Sequence, residues 1–432
     1  MKNIQVVLAR RPVGKPVPED FAVREVPVPS PGPGQALIQN QYLSLDAGFR
    51  NWMDEDAGDE VLPAMPLDET VMGLTVGRVI ESNNDALPVG QLLMGRLGWE
   101  SYSIASDDFM VPLADDPDTP LSYHLGILGD TGMSAYFGMN DIAKPEPGDT
   151  VLVSAAAGAV GYVAGQVARI MGASKVVGIC GDDAKAARLI EEVGYDAIIN
   201  YRTTEMDAAL AEHCPAGINV YFDNVGGPLL EPVINHLAPS ARVPLCGAVA
   251  DYTRTEATGP TNLFQLVTKS IRMEGFMTHL QVDRYPEARE ALRGWLKDGR
   301  LKCFEHMLEG VENAGVAFCD LFAGRNFGKT VVRVRQGLSR TLPELPVVGV
   351  AHPLPEAARV IDVETVRYLN APLRTFCRCD VGFGTTHVGL HPARVNEPNR
   401  NPLFFQVNGR QSHELVHGRL ARAVGVCRHH VQ

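Results

Sequence analysis

The apolar and polar residues follow one pattern before residue 123 and another after it. Up to that point, short alternating runs occur at residues 23–28, 35–40, 71–80 and 91–97, and turn-rich segments such as residues 29–34 separate them. Alternation of this kind is typical of strands with one buried face. Since no long helical period interrupts these runs, they predict a partly open β-barrel or sandwich.

From residue 124 to about residue 296, the pattern alternates between strands and helices. Buried strands are predicted at residues 150–154, 175–179, 197–199, 220–222 and 243–246, and helices at residues 160–171 and 183–193. Such alternation indicates a doubly wound parallel sheet. The chain is therefore predicted to be an α/β protein with a β-rich N-terminal domain.

A compositional break follows residues 328–334, which are predicted to form a closing strand. The chain up to Val334 has 44 acidic and 27 basic residues. The last 98 residues have 12 arginines, no lysine, 7 acidic residues and 7 of the 12 histidines. A change this sharp marks a boundary, so residues 335–432 are predicted to be an irregular C-terminal extension.

Composition narrows the functional class. The 432 residues are 45% apolar and 21% charged, which is ordinary for a globular protein of two or three domains, and no apolar run is long enough to span a membrane. A formal net charge of −12 argues against nucleic acid or an anionic membrane as partner. Residues 1–11 lack the apolar stretch of a secretory signal, and the eight cysteines form no disulfide framework. These features predict a cytoplasmic enzyme.

The turn at residues 154–161 has the clearest chemical signal. It reads Ser-Ala-Ala-Ala-Gly-Ala-Val-Gly, follows the first buried strand and opens a helix. Small residues let the backbone of such a turn approach a pyrophosphate, whose charge is met by amides at the helix N-terminus. A glycine turn can also serve only as a tight bend, but the strand–turn–helix context favours a dinucleotide site.

The next strand ends in Cys-Gly-Asp-Asp-Ala-Lys at residues 180–185, which leaves the choice of nicotinamide cofactor open. Asp182 or Asp183 can accept hydrogen bonds from the ribose hydroxyls of NAD, while Lys185 can bind the 2′-phosphate of NADP. Attraction and repulsion at contact distance are both roughly 1–4 kcal/mol, so charge alone does not decide. Either aspartate can instead stabilise the first turn of the following helix.

Further motifs follow one another along the chain. They lie at residues 11–14, 42–46, 129–138, 155–161, 221–227, 246–248 and 326–329, and include Tyr-Leu-Ser-Leu-Asp, Tyr-Phe-Asp-Asn-Val-Gly-Gly and Asn-Phe-Gly-Lys. In this order they resemble the zinc-independent medium-chain dehydrogenase/reductases, and among them the NADP-dependent alkenal/enone double-bond reductases that include the prostaglandin and curcumin reductases. The resemblance extends from about residue 10 to Val334.

The resemblance implies both an architecture and a reaction. Residues 1–123 would form a GroES-like substrate domain, residues 124–296 a Rossmann NADP-binding domain, and residues 297–334 a return to the first domain, with residues 335–432 beyond it. NADPH would transfer a hydride to the β-carbon of an α,β-unsaturated aldehyde or ketone, and the resulting enolate would be protonated. The resemblance also implies a homodimer.

The resemblance assigns a cofactor site residue by residue and favours NADP. Tyr252 would lie beside the nicotinamide as oxyanion donor or proton source, because a phenol with a pKa of ~10 donates a hydrogen bond at neutral pH. The alternative for Tyr252, and more strongly for Tyr201, is aromatic packing. The positions that match the family's cofactor contacts are Gly158, Ala159, Val160 and Gly161 at the pyrophosphate, Lys185 at the 2′-phosphate, Tyr201, Asn224, Cys246, Gly247, Ala248, Tyr252, Phe276, Met277, Thr278 and Asn326.

Three places depart from the family pattern. Residues 47–50 read Ala-Gly-Phe-Arg instead of Pro-Tyr-Met-Arg, residues 129–132 read Gly-Asp-Thr-Gly instead of Gly-Met-Pro-Gly, and His279 stands where some members have a tyrosine. His279 can supply a proton or pack in the pocket wall. Because these positions are expected near the substrate, they leave the substrate open. A quinone reductase and a non-catalytic NADP-binding protein are the alternatives.

Zinc chemistry is not expected in any part of the chain. Residues 1–179 contain no cysteine and a single histidine, His124, so neither zinc site of the wider superfamily can be assembled. The extension contains the zincin spacing His413-Glu-Leu-Val-His417, but too little chain surrounds it for a metalloprotease domain. The extension is therefore predicted to have no catalytic role, and activity is expected to survive truncation after Val334.

Overall fold

The N-terminal strands form antiparallel sheets in the computed structural model, which describes residues 2–57, 63–106, 110–253 and 259–335. The strands are β1 (Lys2–Leu8), β2 (Phe21–Pro27), β3 (Ala36–Ser44), β4 (Met72–Ser82), β5 (Leu92–Gly98), β6 (Tyr102–Ala105) and β7 (Met110–Leu113). β1 pairs with β2, while β3, β4, β5 and β7 lie side by side in a larger sheet and β6 pairs with β3. The alternating runs predicted before residue 123 correspond to β2, β3, β4 and β5.

The strands that follow build a parallel sheet. They are β8 (Thr150–Val153), β9 (Lys175–Cys180), β10 (Ala197–Asn200), β11 (Ile218–Phe222), β12 (Leu237–Leu245) and β13 (Arg272–Gly275). Their order is β10-β9-β8-β11-β12-β13, and neighbouring strands run parallel. The strand order reverses between β8 and β11, which is where open α/β sheets bind ligands. The predicted doubly wound sheet is confirmed.

Two parts of this sheet differ from the prediction. β12 begins at Leu237, earlier than the predicted residue 243. Its first half was not predicted because Pro239 and Pro244 interrupt the apolar run that would have indicated a strand. β13 was not predicted at all. Its sequence, Arg-Met-Glu-Gly, lacks the apolar run of the inner strands, and the strand is the last in the order of its sheet.

Helices precede, connect and follow the strands of the parallel sheet. They are α1 (Asp130–Phe137), α2 (Gly161–Ile170), α3 (Asp183–Arg188), α4 (Met206–His213), α5 (Gly227–His236), α6 (Phe264–Thr268), α7 (Tyr285–Lys297) and α8 (Ala314–Ala323). The helix predicted at residues 183–193 is α3 followed by a π-helical turn, Leu189–Val193, which ends at Gly194 with φ of 93°. Within the described ranges, no helix has the length and apolar character that crossing a membrane requires.

The chain then returns to the N-terminal sheet. It adds β14 (Glu305–Glu309) and β15 (Lys329–Arg333), which run parallel to each other. β15 also pairs antiparallel with β3, with Val331 opposite Ser44. The predicted closing strand is therefore confirmed, and its partner is a strand near the start of the chain.

Aromatic residues from both ends of the described chain pack together in the core of the N-terminal sheet. The ring of Trp99 lies 5.7 Å from that of Phe21 and 5.4 Å from that of Phe318 on α8. All described residues belong to the unit Met1–Leu373, and the predicted extension with His413 and His417 lies outside them. The boundaries at residues 123, 296 and 334 stay predictions.

Candidate active site

A cleft of about 1810 Å³ opens at the carboxyl ends of the parallel strands. The segments after β8, β9, β11, β12 and β13 line one side of it, and Leu45, Phe49, Leu74 and Met94 from the N-terminal part of the chain also line it. Every residue that the sequence predicts to contact the cofactor lies along this cleft. Their individual roles stay predictions, but the structure brings all of them together.

The glycine turn after β8 is shaped by close backbone contacts. A Cβ atom at Gly161 would lie 2.2 Å from the carbonyl oxygen of Ala155 and 2.8 Å from the Cα of Ala156, so only glycine fits there. Gly158 forms a parallel bridge with Gly328, which engages the neighbouring Ala159 amide, whereas the Val160 amide has no recorded acceptor within the described ranges. Because α2 begins at this turn, the Val160 amide can bind an anion.

A buried carboxylate orders the neighbouring loop after β11. Asp223, 1% exposed, accepts hydrogen bonds from the Tyr221 hydroxyl at 2.8 Å and the Val225 amide at 2.9 Å. Asn224 donates from its amide nitrogen Nδ2 to the carbonyl oxygen of Ser154 at 2.8 Å. The two segments that meet where the strand order reverses are therefore fastened to each other.

Two cations lie at the end of the cleft where the 2′-phosphate is predicted. The Lys185 ammonium group donates to the carbonyl oxygen of Gly324 at 2.5 Å, and burial lowers the pKa of Lys185. Arg202, whose charge lowers the same pKa, lies with its guanidinium carbon 5.8 Å from the centre of the Tyr201 ring. Arg202 was not predicted as a site residue, although it directly follows the predicted Tyr201.

The two aspartates beside Lys185 have structural partners. The Asp182 carboxylate caps α3 by accepting a hydrogen bond from the Lys185 backbone amide at 2.9 Å. Asp183 lies in the first turn of the helix and accepts from the Asn200 side chain at 2.6 Å. The alternative in which these residues stabilise the helix is therefore observed for both.

Tyr252 is held against the backbone of the loop after β12. Its hydroxyl oxygen accepts a hydrogen bond from the Ala248 amide at 3.3 Å, and a Cβ atom at Gly247 would lie 3.1 Å from that oxygen. Burial raises the pKa of Tyr252, so the phenol stays protonated at neutral pH. Burial also raises the pKa of the nearby Cys246 thiol to about 12, which keeps it neutral.

Two polar pairs at the cleft were not predicted from the sequence. Lys329, 1% exposed, forms an ion pair with Asp46 and so joins the end of the Tyr-Leu-Ser-Leu-Asp motif to the end of Asn-Phe-Gly-Lys. The Thr278 hydroxyl donates a hydrogen bond to the Asp130 carboxyl. Asp46 and Lys329 each belong to a sequence motif, but the sequence did not predict that they pair. Nothing in the sequence linked Asp130 to Thr278.

The places that depart from the family pattern lie along the cleft, as expected. Phe49 is buried and packs edge to face against Trp52, with ring centres 5.7 Å apart. His279 and Asp130 line the cleft and are close enough for their charges to interact. Residues at all three places that differ from the family pattern therefore line the same cleft as the predicted cofactor residues.

The described residues include no group of three or more His, Cys, Asp and Glu side chains placed to hold a metal ion. His124, the single histidine of residues 1–179, is buried, and burial lowers its pKa to about 4. It is therefore neutral at physiological pH.

Two protein-family models match the chain in succession. One, described as the N-terminal domain of oxidoreductase, matches residues 4–113, and the other, described as zinc-binding dehydrogenase, matches residues 159–293. The first match covers most of the N-terminal strands, and the second covers most of the parallel sheet. Fold and site together define an NADP-dependent oxidoreductase with a GroES-like and a Rossmann domain.

Individual relatives narrow this class. The NADPH-dependent curcumin reductase of Escherichia coli (strain K12) is 38% identical over 339 residues, which are 77% of this chain and 97% of the relative. The NADP(+)-dependent 2-alkenal reductase of Nicotiana tabacum is 37% identical over 77% of this chain and 98% of its own. The crystal structure of CurA from Vibrio vulnificus with NADPH superposes with a TM-score of 0.72 at 38% identity, covering 77% of this chain and 100% of that one. The chain belongs to the zinc-independent alkenal/enone reductases of the medium-chain dehydrogenase/reductase family.

Proposed function

We propose that this chain uses NADPH to reduce the carbon–carbon double bond of α,β-unsaturated aldehydes and ketones. The observation that carries the proposal is that one cleft holds a helix N-terminus with the free Val160 amide, two cations and a protonated phenol. A pyrophosphate, a 2′-phosphate and a developing oxyanion need these three groups respectively. The relatives named as curcumin and 2-alkenal reductases support the same chemistry.

The residues present fit the cofactor. The cradle at Gly161 excludes any side chain, which leaves room for a pyrophosphate at the Val160 amide and the start of α2. Lys185 and Arg202 can bind a 2′-phosphate, for which arginine and lysine are the usual partners. When bound, NADPH supplies the hydride that adds to the β-carbon of the substrate.

Tyr252 has a defined part in this reaction. Because the Ala248 amide donates to its oxygen, the phenolic hydrogen is left free to point toward the substrate carbonyl. That hydrogen bond stabilises the negative charge that develops on the carbonyl oxygen as the β-carbon gains a hydride. Depth in the cleft strengthens the bond, since water does not screen it there.

Tyr252→Phe tests this role. Loss of one oxyanion donor is expected to lower kcat roughly 100-fold while the Kd for NADPH changes little. The matched control is Tyr42→Phe, since Tyr42 lies on β3 outside the cleft and its replacement should leave both constants unchanged. An unchanged kcat in Tyr252→Phe would assign the ring to packing alone.

The reaction itself is tested with purified protein and a panel of enones, alkenals and quinones. Loss of reduced cofactor is followed with NADPH and NADH in parallel. Faster reduction of enones or alkenals with NADPH is the expected result. Faster reduction of quinones would make the protein a quinone reductase, and NADPH binding without turnover of any compound would make it a binding protein.

The exposed edge of the parallel sheet supports a homodimer. β13 is the last strand in the order of its sheet, and α6, which precedes it, exposes Phe264 by 73% and Val267 by 70%. Among the described residues no further strand pairs with β13, and a sheet edge beside exposed apolar side chains favours pairing with a second copy. Light scattering should give a dimer, and Val267→Glu should weaken it, whereas Val89→Glu, at an exposed site elsewhere, should not. A monomeric wild-type protein would exclude this assembly.

The cysteines support a cytoplasmic location. Every cysteine in the described ranges is a free thiol: Cys180, Cys214, Cys246, Cys303 and Cys319. Free thiols persist in a reducing compartment. Cell fractionation of the tagged full-length protein tests the location, and recovery in a secreted or periplasmic fraction would refute it.

A further inference from the structure

Asp130 occupies a rigid place on the wall of the cleft, at the start of α1. The glycines on either side of it admit no side chain: a Cβ atom would lie 2.2 Å from the His124 carbonyl oxygen at Gly129 and 1.9 Å from the Ile127 carbonyl oxygen at Gly132. Such contacts with backbone leave the segment little freedom to shift. The position of the Asp130 side chain is therefore set by the fold.

The carboxyl of Asp130 presents one oxygen to the cleft. Its Oδ1 atom accepts the hydrogen bond from the Thr278 hydroxyl, which fixes the plane of the group. Over the described ranges, the structure records no partner for Oδ2, and the side chain is exposed to the cleft that it lines. An oriented, unpaired oxygen in a cleft is a hydrogen-bonding site for a bound ligand.

The surroundings of the Asp130 carboxyl combine burial with several ionisable neighbours. Although open to the cleft, the carboxyl lies deep within it, and this depth raises the pKa of Asp130. The charged neighbours that act on it are Asp46, which raises the pKa further, and Lys329 and His279, which lower it. The Cys246 thiol is a further neighbour, and it is neutral because burial, and secondly the Asp130 charge, raise its pKa.

We propose that Asp130 is a specificity-determining residue that selects enones and alkenals bearing a hydroxyl group, which hydrogen-bonds to its Oδ2 atom. This inference rests on the proposed function, since it names the substrate class of the same cleft. A hydroxyl can pair with Oδ2 whether the carboxyl is ionised or protonated, because it is both a donor and an acceptor. An apolar substrate that covers Oδ2 removes its water and offers no partner in return. Sites built to pair with a hydroxyl reject the analogue that lacks it for this reason.

The test uses matched substrate pairs on the full chain. Straight-chain 2-alkenals of equal length are compared, one unsubstituted and the others with a single hydroxyl at successive carbons. At the favoured position, the hydroxyl should raise kcat/KM roughly 10- to 100-fold. Asp130→Met should abolish that preference, and Asp130→Asn, which keeps polar groups at the same place, should retain part of it. Asp118→Asn, which alters an exposed carboxyl outside the cleft, should leave the preference unchanged.

A second measurement does not depend on turnover. Binding of the saturated pairs, with and without the hydroxyl, is measured by calorimetry in the presence and absence of NADP⁺, with the wild type and Asp130→Met. A lost difference in Kd on replacing Asp130 supports the proposal even if no enone is reduced, a result that would refute the proposed function alone. The inference is overturned if the hydroxyl makes no difference to the wild type. It is also overturned if Asp130→Met slows both members of each pair equally, as loss of a general proton donor would.

Discussion

At the residue scale, we predict that the choice between NADPH and NADH depends on Lys185 and its neighbour Arg202. Lys185→Ala removes a charged partner of the 2′-phosphate, an interaction worth roughly 1.5–3 kcal/mol. The KM for NADPH should therefore rise roughly 10- to 100-fold while that for NADH changes little. Lys297→Ala, which removes an exposed lysine from the last turn of α7, is the control. Equal changes in the KM values for NADPH and NADH would show that Lys185 does not bind the 2′-phosphate.

The same lysine predicts how the cofactor preference changes with pH. Burial lowers the pKa of Lys185 in the free protein, so it loses its proton at a lower pH than an ordinary lysine does. The preference for NADPH should therefore be fully present at neutral pH and decline as the pH rises into the alkaline range. The ratio of the two KM values against pH checks this, and in Lys185→Ala the corresponding decline should be absent.

The sequence could predict a site residue where a motif contained it. The glycine turn, Lys185 and Tyr252 belong to such motifs, and all of them lie in the cleft. The contact between Thr278 and Asp130 joins residues 148 positions apart, so it depends on how two loops meet in space. Local spacing carries no information on such a meeting, which is why the contact needed the structure.

At the scale of elements, the start of α2 depends on a glycine that packs against the preceding turn. Gly161→Ala would place a methyl group 2.2 Å from the Ala155 carbonyl oxygen, so the turn must move. We expect a loss of stability of roughly 1–3 kcal/mol and a large loss of NADPH affinity, measured by thermal unfolding and calorimetry. Gly294→Ala in α7 meets no atom within 4 Å and should be neutral or slightly stabilising. Normal NADPH binding in Gly161→Ala would contradict the role given to this turn.

Elements with a regular apolar pattern were predictable, and those without one were not. β15 alternates β-branched residues and was identified from residues 328–334. β12 contains Pro239 and Pro244, which interrupt its apolar pattern, so its first half was not predicted. β13 has no apolar run at all. Both are strands because neighbours in the sheet supply hydrogen bonds, a stabilisation that single-segment propensity does not include.

At the scale of the whole molecule, strand–helix alternation restricts the possible topologies to a few. Parallel strands joined by helices follow right-handed crossovers, so recognising the alternation at residues 150–246 was enough to predict a doubly wound sheet. The pairing of β15 with β3 is a contact between distant segments, and family resemblance had implied only that residues 297–334 return to the first domain. The pattern of apolar and polar residues thus predicted the doubly wound sheet. Family resemblance predicted that residues 297–334 return to the first domain.

The extension, which the charge break after Val334 separates from the rest of the chain, is expected to have no catalytic role. The relatives align over 97–98% of their own lengths within 77% of this chain, so their whole catalytic unit is matched without a further segment of this size. The last backbone hydrogen bond of the described chain runs from the Val334 amide to the Gln41 carbonyl oxygen at 2.9 Å, so truncation after Arg335 keeps the β15 edge intact. Enone reduction and thermal stability should then match those of the full chain. The double variant His413→Ala/His417→Ala in the full chain should likewise keep its activity. A folded truncated protein with much lower turnover would show instead that the extension takes part in catalysis.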